Sequence, residues 1–236
     1  MQDVHNVVDI AISQPQVVAG FLRKLPEDAQ HDLLSLANSS SIASGIALFH
    51  EKDESCAVHF VLDGEVKLSM NSAEGKRLTL RIARKGEVVG LASALSGRLR
   101  QMTAETLYPA KIASVRRSDF LDFLARRPEA YPLVTEELGR SYNLACDQLR
   151  TVGLSSSAPE KLARLLLHWS ESGQDTECGT RCRLPLTHLE IGEFIGASRE
   201  TVTRILSTFK SRRLIVFDGA TLMIPSREAL ESLAQG

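Results

Sequence analysis

The residues whose types and spacing are best suited to chemistry lie close together near residue 200. Between Ser198 and Arg213 the chain carries five lysines or arginines and a single acid, Glu200. The whole chain of 236 residues has a formal net charge of −1, so this positive charge is local. A local basic patch attracts phosphate without making the entire protein bind polyanions. Arginine can also form two hydrogen bonds to guanine, and glutamate can accept one from cytosine. The pattern therefore predicts a surface that contacts DNA.

The elements that would position these side chains are two short helices joined by a tight turn. Thr187 and Glu190 have the spacing of a capping box at the start of the first helix, and Gly196 can take the positive φ of a turn. Ser198 is a suitable N-cap for the second helix. Helical periodicity gives that helix an apolar face (Val202, Ile205, Leu206, Phe209) and a polar face (Arg199, Glu200, Thr203, Arg204, Ser207). The next segments, LIVF (214–217) and TLMI (221–224), predict a β-hairpin, so we expect a winged helix-turn-helix.

A plain helical hairpin with a solvated charged face is the alternative interpretation, and three observations disfavour it. The charges are mostly basic, and arginine and glutamate stand in the first turns, where a recognition helix meets base edges. The hydroxyls of Ser198, Thr201 and Thr203 stand where phosphate contacts would be useful. DNA binding is therefore the favoured interpretation.

Residues from about 40 to 115 alternate with the period of β-strands. The strand-like segments are VHFVL (58–62), EVKLSM (65–70), RLTLRIA (77–83) and KIASV (111–115). Asp63-Gly64 between the first two is the strongest short hairpin signal, and the third places Leu78, Leu80 and Ile82 on one face. Several short strands predict a small β-barrel or jelly roll. Because helical segments flank it, from about residue 15 to 38 and again after Arg116, the fold class is α+β.

A long helix is predicted from about residue 129 to 153. Five of its residues are spaced four and three apart, like the seam of a coiled coil: Leu138, Tyr142, Ala145, Leu149 and Val152. The alternative is a helix that lies on its own barrel, but this helix is longer than one small barrel needs. Residues 155–159 are the predicted hinge. The predicted domains are therefore 1–127 (barrel with flanking helices), 128–154 (dimerisation helix) and 155–236 (winged helix).

Composition and missing motifs exclude several other classes of protein. Apolar residues make up 43% and charged residues 24%, which is ordinary for a globular protein. No apolar run has the length of a membrane span and the N-terminus lacks a signal-peptide pattern, so a cytoplasmic protein with no membrane partner is expected. Cys178 and Cys182 lack the two further ligands that a zinc site would need, so no metal site is predicted. A nucleophile elbow, a phosphate loop and a metal-binding helix are missing too, so an enzyme, and with it any catalytic residue, is not expected.

The segment SRETVTRIL (198–206), preceded by LTHLEIGEFIGA (186–197) and followed by a short wing, resembles the DNA-binding domain of the CRP/FNR family of bacterial transcription regulators. FVLDGEVKL (60–68), GEVVGLASALSG (86–97) and the long helix look like the β-roll of the cyclic-nucleotide-binding type and the dimerisation helix of that family. The resemblance extends from about residue 18 to 230. It implies a homodimer that reads a TGTGA-like palindrome with two recognition helices about 34 Å apart.

The resemblance also implies roles for individual residues. Arg199, Glu200 and Arg204 would read bases. The candidate phosphate contacts are Thr187, Ser198, Thr201, Thr203 and Lys210. RNA polymerase is an implied partner, and residues 173–183 are the candidates for meeting it.

The effector site of the family is only partly matched. Leu91 stands where cAMP-binding members have a glutamate, and Gln101-Met102 stands where they have Arg-Ser. The positions that would meet adenine carry Cys146 and Asp147, and Arg98 and Arg100 are near the site in sequence but out of register. Because a cyclic phosphate needs a fixed cation or several backbone donors, cAMP is not the expected effector. The effector stays unknown, with these seven residues as the pocket candidates.

An iron–sulfur cluster of the FNR type is not expected, because it needs several cysteines near the N-terminus and the first cysteine here is Cys56. A second function stays open at this point, namely a ligand-binding or protein-interaction module whose winged helix does not read DNA.

Overall fold

The computed structural model describes residues 20–154, 157–171 and 173–235, so the first residues of the earliest predicted helix lie outside the described part. The helices are α1 (Gly20–Lys24), α2 (Glu27–Ser35), α3 (Leu91–Ser96), α4 (Arg117–Arg126), α5 (Tyr131–Leu154), α6 (Ala158–Ser170), α7 (His188–Ile195), α8 (Arg199–Ser211) and α9 (Arg227–Gln235). A 3-10 turn at Pro128–Ala130 joins α4 to α5.

The strands that precede the long helix are β1 (Ala37–Ile42), β2 (Ala47–Phe49), β3 (Ala57–Asp63), β4 (Glu65–Asn71), β5 (Arg77–Arg84), β6 (Val88–Val89), β7 (Thr103–Thr106) and β8 (Ala110–Arg116). Those that follow it are β9 (Gln174–Thr176), β10 (Gly179–Arg183), β11 (Val216–Asp218) and β12 (Thr221–Ile224). This content confirms the α+β class.

The first eight strands form the two four-stranded sheets of a β-roll, in the orders β1-β8-β3-β6 and β2-β7-β4-β5. The β3–β8 pair is antiparallel, with Val58 opposite Val115 and Phe60 opposite Ala113. The predicted hairpin between β3 and β4 is wrong, because β3 pairs with β8 and β6 in one sheet and β4 lies in the other. The turn at Asp63-Gly64 is present but carries the chain from one sheet to the other, and Gly64 has a φ of +83°. A Cβ at Gly64 would lie 2.7 Å from the carbonyl oxygen of Pro109, so both the turn and the neighbouring chain require glycine there.

Helices α1, α2 and α4 pack on the roll through a shared core. Phe60 of β3 lies 6.4 Å from Phe120 between ring centroids, and Phe120 lies 6.3 Å from Phe123. These three rings, with Leu33 and Val58, are almost completely buried.

Strand β5 does not bury the face that its alternating sequence predicts to be apolar. Thr79 and Ala83 are its buried residues, whereas the predicted apolar face at Leu78, Leu80 and Ile82 is only half-buried.

Helix α5 is the long helix that the sequence predicts, and it runs from Tyr131 to Leu154. By packing, the chain divides into two units, one containing residues up to 72 with 80–145, the other containing 73–79 with 146–236. The helix therefore contributes to both units, and the predicted boundaries at residues 127 and 154 stay a prediction. Residues 155 and 156 of the predicted hinge lie outside the described residues. Helix α6 begins after Ser157, whose hydroxyl accepts a hydrogen bond from the Glu160 N–H at 3.4 Å.

The C-terminal unit contains the two predicted helices and the predicted wing. Strands β11 and β12 form the wing hairpin and continue into a four-stranded sheet of order β11-β12-β10-β9. The Trp169 ring meets Phe194 edge-on at 6.2 Å, and its N–H donates to the Arg183 carbonyl at 2.7 Å. Strands β9 and β10 and helix α9 were not foreseen. All three residues of β9 are exposed and polar, so this strand has no apolar alternation to detect.

Candidate nucleic-acid interface

Local hydrogen bonds set the geometry of the helix-turn-helix. The Thr187 hydroxyl accepts from the Glu190 N–H at 3.2 Å, and the Glu190 carboxylate accepts from the Thr187 N–H at 2.7 Å, so the predicted capping box is present. Gly196 ends α7 with a φ of +66°, as predicted. The Ser198 hydroxyl caps α8 by accepting from the Thr201 N–H at 3.2 Å. Each cap satisfies a backbone group that would otherwise lack an intrahelical partner.

Gly192 is a structural requirement of this motif that sequence analysis missed. A Cβ at this position would lie 2.5 Å from the carbonyl oxygen of Ala197, which is too close for any other residue without a shift of the turn. Gly192 thus lets the turn fold back against α7. The local signal was weak because a glycine inside a helix otherwise costs stability without revealing which neighbour needs the space.

Helix α8 has the two faces that its sequence predicts. Val202, Ile205, Leu206 and Phe209 are buried in the core of the unit. The opposite surface is exposed, and we call it the recognition face: Arg199, Glu200, Thr203, Arg204 and Ser207. Within the C-terminal unit the core does not cover this face, so its side chains are available for a partner.

Hydrogen bonds at the start of α8 favour the ionised form of Glu200. The Glu200 backbone N–H and the Ser198 hydroxyl both bond the carboxylate, and these bonds, with a smaller contribution from the charge of Arg199, lower its pKa below 4.5. An ionised carboxylate only accepts hydrogen bonds. Glu200 is therefore in the state that an amino donor such as cytosine N4 requires.

The hydroxyl groups predicted to contact phosphate already have partners within the protein. Thr203 Oγ1 donates to the Arg199 carbonyl at 2.9 Å and lies 2.7 Å from Nδ1 of His188. Since the single hydroxyl proton goes to the carbonyl, His188 Nδ1 is the donor in the second bond. The hydroxyls of Thr187, Ser198 and Thr201 take part in the helix caps described above. Thr187, Ser198 and Thr201 mark the N-terminal ends of α7 and α8, where first-turn backbone N–H groups favour anions, whereas Thr203 lies beyond the first turn of α8.

Lys210, the remaining predicted phosphate contact, lies at the other end of α8. Its side chain is exposed, and Nζ lies 4.9 Å from the centre of the Phe217 ring on the wing. This cation–π contact holds a positive charge between the recognition helix and the wing. Four of the five predicted phosphate contacts thus lie at helix ends, and Thr203 lies on the recognition face between them.

The β-roll contains a cavity of about 160 Å³ where the effector pocket was predicted. Its lining includes Leu91, Arg100, Gln101 and Met102 from the predicted set. The other three predicted residues do not line it. Arg98 and Asp147 are exposed, Asp147 being paired with Arg150 at 2.7 Å, and Cys146 is half-buried.

Arg100 is buried in the cavity wall and bonds only to uncharged groups. Its guanidinium donates to the carbonyl of Gly90 and the hydroxyl of Ser93, both at 2.8 Å, and to the carbonyl of Ala57. It also stacks on Phe49, with 4.1 Å from the central carbon to the ring centre. Burial lowers the pKa of this arginine, because the desolvated charge is disfavoured. Arg100 therefore holds the start of α3 in place.

The described residues contain no helix that is both long and apolar enough to cross a membrane.

Comparison with known families finds a match for each half of the chain. Residues 40–127 match the cyclic nucleotide-binding domain, and residues 160–233 match the Crp-like helix-turn-helix domain. Together the two matches cover more than half of the chain, in the order that the sequence predicts.

Individual relatives agree with this assignment. The transcriptional activatory protein AadR of Rhodopseudomonas palustris is 28% identical over 184 residues, which are 77% of this chain and 75% of that protein. A CRP-like cAMP-activated global transcriptional regulator of Mycobacterium tuberculosis is 26% identical over 192 residues, 81% of this chain and 85% of that protein. The solved structure of FixK2 from Bradyrhizobium japonicum has the same fold, with a TM-score of 0.73 at 22% identity over 84% of this chain and 96% of that one.

The matched families and relatives are transcription regulators rather than enzymes. The effector-type domain, the Crp-like helix-turn-helix and the shared fold agree with one another, and the chain belongs to the CRP/FNR family of DNA-binding transcription regulators.

Proposed function

We propose that this regulator binds DNA as a homodimer and reads a TGTGA-like palindrome through its two recognition faces. The observation that carries the proposal is the exposure of Arg199, Glu200 and Arg204 on a helix whose other face is buried. Arg199 and Arg204 bond guanines through O6 and N7, and the ionised Glu200 accepts from a cytosine N4 amine. Arginine and glutamate together thus select the G·C pairs of each half-site. As a DNA-binding protein it acts where the chromosome lies, in the cytoplasm.

The phosphate contacts of this proposal lie at the helix ends. The N-terminal ends of α7, after Thr187, and of α8, around Ser198 and Thr201, offer phosphates their helix dipoles and the first-turn N–H groups that the caps leave unbonded. Thr203 contributes a phosphate contact from its position on the recognition face. Lys210, held against Phe217, supplies a full positive charge. Such contacts fix the register of the protein on DNA but do not select bases.

Dimerisation in this proposal uses an exposed apolar stripe along α5. Tyr142 is 70% exposed and Leu149 67% exposed in the single chain, and Tyr131 is also exposed. These three lie eleven and seven residues apart, which places them near one side of the helix. Leu138, Ala145 and Val152 of the predicted seam are half-buried in the single chain and flank the stripe. A second copy of α5 would cover these residues, and the twofold symmetry of that pairing matches a palindrome.

RNA polymerase is the proposed protein partner, and residues 173–183 are the proposed contact. They form the β9–β10 hairpin, whose first strand, Gln174–Thr176, is fully exposed. An exposed polar hairpin at the edge of the C-terminal sheet is accessible to a large partner while the recognition face meets DNA.

The test is DNA selection from a random library followed by fluorescence anisotropy on the selected site. We expect an enriched TGTGA-like palindrome. Arg199→Ala and Arg204→Ala should each weaken binding by about 1–3 kcal/mol per half-site and relax the preference at one base pair. Arg164→Ala, an exposed arginine on α6, is the matched control and should bind like the wild type. Retention of full sequence preference by Arg204→Ala, or selection of no palindrome, would refute the proposal.

A further inference from the structure

The cavity of the β-roll has an apolar lining. Six of its lining side chains are Phe49, Leu68, Leu80, Val88, Leu91 and Met102. Its volume of about 160 Å³ can be compared with an engineered cavity of roughly 150 Å³, lined by Leu, Ile and Phe, which stays dry and binds benzene. The space therefore suits one ring and a few further atoms, and is small for a purine, a ribose and a phosphate together.

The two arginines in the lining already use their terminal nitrogens in bonds within the protein. Arg81 is paired with the carboxylate of Glu87, which also accepts from Arg140 at 3.0 Å. The terminal nitrogens of Arg100 donate to Gly90, Ser93 and Ala57, while its buried Nε–H has no partner. Releasing either arginine would break these bonds and leave buried acceptors without donors, which is costly. Among the described lining residues, an anionic ligand could therefore use only the single Nε–H of Arg100 without breaking an existing bond.

Besides the Nε–H of Arg100, a hydroxyl group of the lining is uncommitted. Ser141 of α5 lines the cavity, and its hydroxyl has no hydrogen-bond partner in the described part of the chain. It differs from Ser93, whose hydroxyl donates to the Gly90 carbonyl at 3.2 Å and accepts from Arg100. A hydroxyl can both donate and accept one hydrogen bond, so Ser141 suits a ligand with a single neutral polar group.

We propose that this cavity binds a small uncharged molecule of single-ring size, largely apolar, with one hydroxyl-type group that bonds Ser141. The apolar lining excludes water from the ring, and Ser141 sets the orientation. Ligand contacts would join strands β4 and β5 to helix α5 through Leu68, Leu80 and Ser141. Control of DNA binding by the ligand rests on the proposed function, because α5 is the proposed dimer helix. Ligand binding itself does not rest on it.

The experiment uses the full-length protein and methyl NMR titrations with phenol, toluene, benzoate and cAMP. We expect phenol and toluene to shift methyl signals of the lining leucines, with benzoate and cAMP binding at least about tenfold more weakly. Met102→Trp should fill the cavity and weaken phenol at least about tenfold, whereas Met70→Trp, an exposed methionine outside the lining, should not.

Ser141→Ala separates the hydrogen bond from simple burial. It should weaken phenol about two- to tenfold and leave toluene unchanged, because only phenol can bond the hydroxyl. Ser35→Ala, an exposed serine on α2, should change neither. Tighter binding of cAMP than of phenol, no response to phenol or toluene at millimolar concentration, or an equal effect of Ser141→Ala on both probes would overturn the proposal. Because these titrations contain no DNA, their failure is distinct from failure of the DNA-binding test.

Discussion

Acid should destabilise the β-roll through one buried histidine, His59. This residue lies in β3, with Nδ1 2.8 Å from the Ser114 hydroxyl and its ring stacked on Phe49 at 5.6 Å. Burial, and secondly the positive charge of Arg100, lowers its pKa from 6.5 to about 4. The folded roll therefore keeps this imidazole neutral at a pH where the unfolded chain protonates it.

The sign and size of the effect follow from linkage. A group whose pKa is lower in the folded state leaves stability intact above the unfolded pKa of 6.5 and removes it as the pH falls toward about 4. The gap between the two values corresponds to about 3 kcal/mol once the pH is below both. His59→Asn keeps a group that can bond Ser114 but does not titrate, so this variant should lose about 3 kcal/mol less than the wild type over that range.

The assay must follow the roll itself, because the only tryptophan, Trp169, lies in the other unit. Urea unfolding detected by hydrogen exchange of peptides from β3 and β8 meets this requirement. His31→Asn, an exposed histidine on α2, is the matched control and should follow the wild-type pH profile. If His59→Asn and wild type lose the same stability between pH 6.5 and 4, burial does not hold the imidazole neutral and His59 is not the source of the acid sensitivity.

Three further predictions concern the C-terminal unit and the dimer. Thr187→Ala removes the capping box and should lower the free energy of unfolding of this unit by about 1 kcal/mol, measured by Trp169 fluorescence in urea. Gln148→Leu removes the donor that bonds the carbonyls of Thr79 at 2.9 Å and Phe194 at 2.7 Å, and should cost about 1–3 kcal/mol by the same measurement. Leu149→Glu places a charge in the proposed seam and should convert the dimer to monomers in analytical ultracentrifugation.

Each of these three predictions can be contradicted by a specific result. An unchanged unfolding midpoint for Thr187→Ala would mean that the cap does not contribute to stability. Ser207→Ala, which removes an exposed hydroxyl of α8, serves as the comparison. Gln148→Leu with wild-type stability would show that water satisfies both carbonyls. A Leu149→Glu protein that stays dimeric would show that the dimer interface lies away from this stripe. Leu189→Glu, which changes an exposed leucine on α7, is the control for added charge.

Local patterns in the sequence were sufficient for much of the DNA-binding motif. The Thr187–Glu190 capping box, the Ser198 cap and the buried face at Val202 and Phe209 depend on hydrogen bonds and helical spacing within a few residues. Such interactions are encoded in neighbouring positions, so the sequence predicts them directly.

The sequence predicted where the cavity lies but not which side chains line it. Arg98 and Arg100 are two residues apart and were both pocket candidates, yet Arg98 is exposed and Arg100 is buried against Gly90 and Ala57. Ser141, the uncommitted hydroxyl, is a lining residue that no local pattern marked. These features arise from contacts between segments that are distant in the chain.

By itself, then, the sequence determined the family, the order of the elements and the polar recognition face, because periodicity, caps and turn residues act locally. Only the tertiary structure decided that β5 buries Thr79 and Ala83, that Gly192 must lack a side chain, and that the lining arginines are already engaged. The physical reason is that burial and hydrogen-bond partnership depend on which distant segments come together, and a single strand or helix does not carry that information.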